Sequence, residues 1–132
     1  MAYTDYLEEK VQKHVFGGEA FTSPSDGSNI YLALFTAGPT DAGGGTEVSG
    51  NAYAREEISF TISGTNPTEA ANTAAVEFAT ATGTWGTVTH VGVFDAATDG
   101  NLLAYAELDA SKLIETGDVF RVPTGDLKIT LN

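Results

Sequence analysis

Apolar positions along the chain form one helical stripe followed by a series of short segments with a two-residue period. Across residues 4–15, Tyr3, Leu7, Val11 and Val15 recur every four residues, with His14 beside them, as expected of one face of an amphipathic helix. Thr4 suits the N-cap, Asp5, Glu8 and Glu9 precede Lys10, Lys13 and His14, and Gly17 and Gly18 provide the stop. That order complements the helix dipole. A stripe of this kind requires cover, from the same subunit or from another.

After the turn-rich "GGEAFTSPSDGS", residues 17–28, the period changes. In "NIYLALFTAGP", Ile30, Leu32 and Leu34 share one side and Tyr31, Ala33 and Phe35 the other. Both sides are apolar, which predicts a strand covered on both faces and ended by Pro39. The glycines of "TDAGGGTEVSGN" predict a loop. "YAREEISFTISG" then alternates, with Ala54, Glu56, Ile58, Phe60 and Ile62 on one face, a strand half-buried towards its C-terminal end. "TNPTEAAN" is expected to be a turn, and "TAAVEFATA" a short strand with Val76 and Phe78 together.

In "GTVTHVGVF" strict alternation puts Val88, His90, Gly92 and Phe94 on one face, and Thr87, Thr89, Val91, Val93 and Asp95 on the other. "DAATDGN" has hairpin-loop composition with Asp99-Gly100 as its tight turn, and "LLAYAEL" returns as the partner strand. "DASKLIETGD" is expected to be a connection. Two short extended pieces follow around Thr124-Gly125-Asp126, with Leu127, Ile129 and Leu131 alternating with Lys128 and Thr130. The expected architecture is one mainly β domain over residues 1–132: an antiparallel sandwich or barrel of about six or seven strands with one N-terminal α-helix at 4–15.

Composition narrows the function classes. Six Lys and Arg against 18 Asp and Glu give a net charge of −12, which opposes direct binding to nucleic acid, because that binding depends on neutralising phosphates. Cysteine is absent, so disulfide and thiol chemistry are excluded. No run of eighteen apolar residues predicts a membrane span. The N-terminus carries no apolar signal core, so synthesis and folding in a cytoplasm are expected.

His90 and Asp95 fall on opposite faces of one strand and cannot form a dyad without a bulge. Asp95, Asp99 and Asn101 resemble a cation loop, but the third and twelfth places of a calcium loop counted from Asp95 hold Ala97 and Ala106. Two separated histidines without thiols give no recognisable zinc site. "AGGGTEVSG" lacks the lysine and hydroxyl of a phosphate-binding loop. Glu56, Glu57, Glu77 and Glu107 lie on expected strands, with nothing to set a catalytic separation between any two. No catalytic, cofactor-binding or metal-ligating set is therefore expected, and no cofactor. Trp85 reads as a core or interface anchor before a sugar platform.

Four stretches carry a family resemblance: "DYLEEKVQKHVFGGEAFTSP", "IYLALFTAGPTDAGGGTEVSGNAYAR", "WGTVTHVGVFDAATDGNLLAYAEL" and "GDVFRVPTGDLKITL". In order and spacing they resemble small structural proteins of tailed bacteriophages, loosely labelled tail-fibre proteins. The resemblance implies a non-enzymatic virion protein whose partners are further copies of itself, a trimer among the options, and other phage structural proteins. The chain has neither the heptads nor the short β repeats of a long shaft, so a capsid-decorating (cement) protein on the head surface, contacting the major capsid protein, is the leading expectation. A tail fibre, tail-tip or baseplate adaptor that touches the host is the alternative. Interface candidates are Tyr3, Leu7, Val11 and Val15 on the helix, with Tyr53 and Trp85, which would meet a glycan in the tail setting.

Overall fold

The protein is described by a computed structural model covering residues 1–24 and 30–131. Part of the expected turn-rich stretch, residues 25–29, lies outside the described residues. The chain runs β1 (Ala2–Tyr3), α1 (Asp5–Val15), β2 (Tyr31–Ala37), β3 (Thr46–Glu47), β4 (Glu56–Glu57), β5 (Phe60–Ser63) and β6 (Thr68–Asn72). It continues through β7 (Val76–Glu77), β8 (Gly86–Phe94), β9 (Leu102–Ile114), β10 (Arg121–Val122) and β11 (Lys128–Leu131).

Every strand pairing among the described residues is antiparallel. The main sheet has the order β1-β9-β8-β2-β3, with β4 also on β2, while β10-β7 and β11-β6-β5 form two small sheets. The mainly β, antiparallel fold with one N-terminal helix is as expected, and the main sheet is open rather than closed into a barrel. One apolar core joins Leu32, Leu34, Val88, Val91 and Val93 of the main sheet to Val76, Phe78, Phe120 and Leu127 from the region of the small sheets. As the two apolar sides of β2 require, Ala33 and Phe35 are buried as fully as Leu32 and Leu34.

Four local expectations are corrected. Residues 53–64 are not one strand: β4 pairs with β2 and β5 with β6, so the chain changes sheet at Ile58 and Ser59. Ile58 is core, but Ile62, on the face expected to be buried, is 65% exposed. "TNPTEAAN" is a turn only at its start, since Thr68–Asn72 is the central strand between β5 and β11. "DASKLIETGD" does not begin a connection, because β9 continues to Ile114 and holds Gly86 and Thr87 through Ile114 and Leu113.

The fourth correction concerns β8. Val88 shares the core with Val91 and Val93 instead of facing away from them. Its partner is Lys112 while that of His90 is Glu107, so Thr89 alone faces four residues of β9. This bulge resets the two-residue alternation, which a strict count along the sequence cannot register.

Helix α1 begins where its cap predicts. Thr4 Oγ1 accepts from the Leu7 N–H at 3.4 Å and donates to the Leu102 and Leu103 carbonyls at 2.6 and 3.2 Å. The buried Thr4 hydroxyl thus caps the helix and ties it to β9.

Candidate functional site

The largest convergence of polar groups lies where the loops after β3 and β8 meet. Arg55 reaches Glu47 with both prongs of its fork, Nε to Oε2 at 2.9 Å and Nη2 to Oε1 at 2.8 Å. Its Nη1 donates to the carbonyls of Ala96 at 2.9 Å and Asp99 at 2.7 Å. The guanidinium lies 3.6 Å from the Phe94 ring centroid, and the Arg55 side chain is only 7% exposed. Tyr53 completes the group, donating from its hydroxyl to Glu47 Oε2 at 2.7 Å and accepting from the Leu34 N–H at 3.1 Å.

The electrostatics follow from that geometry. Burial pushes the Glu47 carboxyl up, but the hydrogen bonds from Arg55 and Tyr53 and the charge of Arg55 outweigh it, leaving Glu47 below its ordinary value. Burial first, and the bond to Glu47 second, raise the Tyr53 phenol well above its ordinary value. The arrangement clamps the hairpin loop. Sequence reasoning missed it, although one signal existed: Arg55 is the only Lys or Arg between Lys13 and Lys112.

Beside the clamp is an aromatic cluster. Trp85 is 5% exposed, edge-on to Tyr53 at 5.4 Å and to Phe78 at 6.4 Å, and Phe78 is edge-on to Phe120 at 5.8 Å. The indole N–H donates to the Asn51 carbonyl at 2.9 Å. Asn51 and Ala52 adopt φ of 55° and 70°, in the left-handed region, which presents that carbonyl to the indole. Trp85 is thus placed in the interior, and Tyr53 is half-buried against it.

The remaining candidates are occupied locally. His90 Nδ1 is 2.8 Å from the Thr89 hydroxyl, its Nε2 is 3.6 Å from Glu107, and its ring covers Gly38, where a Cβ would come within 2.6 Å. Asp95 accepts the Asn101 N–H at 2.7 Å and the Asn101 side-chain amide at 3.0 Å. Asp99 and Gly100 have φ of 53° and 75°, the pair of left-handed residues expected for the hairpin turn. Glu77 stands 3.9 Å from Arg121, Glu107 faces His90, and Glu56 and Glu57 pair with Leu32 and Tyr31 on the sheet edge. Among the described residues, no three His, Asp or Glu side chains are grouped to hold a metal ion.

The helix stripe is covered unevenly. Tyr3 and Leu7 are half-buried, Leu7 against the core, but Val11 is 41% and Val15 59% exposed. Leu131 joins Tyr3, Leu7 and Val11 around a groove of about 540 Å³. Leu131 and Ile62, unremarked as contact candidates in the sequence, are themselves more than half exposed.

Residues 2–130 match the family model described as podophage GP4 fiber I protein gp80. The chain belongs to this family. Fiber I membership thus takes in everything from β1 into β11, including the clamp, the aromatic cluster and the groove, and it identifies a phage structural protein. Residues 63–82, outside the four stretches that carry the sequence resemblance, lie within the fiber I match. No curated protein matches the chain.

Proposed function

We propose that this protein is a non-enzymatic component of a phage fibre, acting by attachment to other virion proteins and to copies of itself. The observation that carries the reading is the fiber I family match across residues 2–130. The site geometry supports it: the buried Arg55–Glu47 pair is consumed in holding loops together. A capsid-decorating role rests on small size and the lack of heptads and short β repeats, and the family's description favours the fibre. An attachment protein gains from repetition, because several modest contacts acting together hold far more firmly than one.

The test is location and number in purified virions. Gold-labelled antibody should mark fibres on the tail side, with a copy number set by the fibres and far below that of the major capsid protein. Uniform labelling of the head, at a stoichiometry comparable to the capsid subunit, would replace the fibre reading with the decorating one. Release of oligosaccharide or peptidoglycan fragments by the purified protein would overturn the non-enzymatic part.

A further inference from the structure

The three-stranded sheet β11-β6-β5 has one apolar face that outruns the core. Pairing sets Phe60 beside Asn72, Ile62 beside Ala70 and Ile129, and Leu131 beside Thr68. By alternation, all of these share a face with Leu127. At one end Asn72 and Leu127 are buried; at the other Ile62 is 65% and Leu131 57% exposed. The opposite face carries Thr61, Ser63, Glu69, Ala71, Lys128 and Thr130, mostly polar as a solvated face should be. A sheet wet on both sides has no physical need of that contrast.

Helix α1 shows the same gradient, from half-buried Leu7 through Val11 to Val15, with Phe16 at its end 79% exposed. The two surfaces meet, because Leu131 of the sheet lines one groove with Leu7 and Val11 of the helix. Contiguous exposed apolar surface of this sort marks a contact site.

Charge indicates what covers it. The helix carries three acids and two bases, and β5, β6 and β11 together carry one of each. The elements framing the groove therefore hold only −1 of the chain's −12. A basic partner would be drawn to the rest of the surface. Two copies of this chain repel each other everywhere except where charge is nearly balanced and apolar area can be buried.

We propose that the groove between α1 and the apolar face of β11-β6-β5 is the interface between copies of this chain. This deepens the fibre reading by assigning self-assembly to named residues. Each copy covers the exposed halves of the other's helix stripe and sheet face, with Val11, Ile62 and Leu131 at the contact.

The test is sedimentation of the full chain over a range of concentrations, with three variants. The wild type should sediment as an oligomer, and the paired substitution Val11→Glu with Leu131→Glu should weaken association at least about tenfold. Both positions are exposed, so the melting of the dissociated variant reports that it still folds. Leu113→Glu, at an equally exposed apolar position on β9 away from the groove, should assemble as the wild type does. Ile62→Lys should weaken association as the double variant does. Added salt should tighten assembly by screening repulsion between acidic copies. A monomeric wild type, or a double variant that assembles normally, would overturn the interface. A monomer that nevertheless incorporates into tail-side fibres would remove this interface while leaving the fibre assignment standing.

Discussion

Arg55 is the residue on which the loop architecture turns. Its fork engages Glu47, two loop carbonyls and an aromatic face at once, a combination that a lysine ammonium cannot reproduce. Glu47→Gln should leave the buried guanidinium without its counter-charge and destabilise the fold by about 3–5 kcal/mol in chemical denaturation. The pH dependence has a definite sign. Glu47 is depressed in the folded protein, so its contribution is complete above the unfolded carboxyl value of about 4.3 and fades as pH falls through the lower folded value. The stability gap between wild type and Glu47→Gln should hold near neutrality and shrink under acid. A gap unchanged in acid would show that the charge pair is not its source. Tyr53 is shifted upward, so its contribution is complete below about pH 10 and declines above it. Its phenolate absorbance should emerge only with alkaline unfolding, and Tyr53→Phe should flatten the alkaline limb of the stability curve.

Among the elements, the least expected strand has the best-defined anchor. Asn72, fully buried at the end of β6, donates to the Ala74 and Pro123 carbonyls and accepts the Leu127 N–H, each at 2.9 Å. Asn72→Ala leaves these groups unpaired and should cost roughly 2–4 kcal/mol. Amide exchange should then show early loss of protection in β11; loss spread evenly over the molecule would contradict that local role. The composition of "TNPTEAAN" speaks for a turn because alanine, asparagine and glutamate have low strand preference. Pairing on both edges overrides that preference, and pairing is not visible in a local window. The helix, by contrast, was legible to within a residue, since Thr4, the charge order and the glycine stop all act locally. Thr4→Val, which keeps shape and removes the hydroxyl, should cost about 1–2 kcal/mol and raise exchange in the first turn of α1.

At the scale of the whole molecule, charge governs behaviour. A net −12 on 132 residues repels the folded chain against itself, and screening relieves that repulsion. The melting temperature should therefore rise as salt increases from low to physiological strength. A fall would mean that the few ion pairs, the Arg55–Glu47 clamp foremost, outweigh the general repulsion. The same charge confines partners to a face where it is nearly cancelled, and the helix-and-sheet groove provides one. On the proposed fibre reading, a subunit needs to persist and to join, and closed internal networks with one apolar face left open suit both needs.

The sequence by itself determined what local chemistry determines: the capped helix, the doubly covered β2 and the Asp99-Gly100 hairpin. The tertiary structure alone decided which strand pairs with which, and with it the bulge that turns Val88 inward and the sheet change at Ile58 and Ser59. It also decided that Arg55 would clamp a hairpin forty residues away in the chain. Helix caps and turns are settled by a few neighbouring residues. Sheet edges, faces and buried ion pairs are settled by distant ones, and only folding brings those into contact.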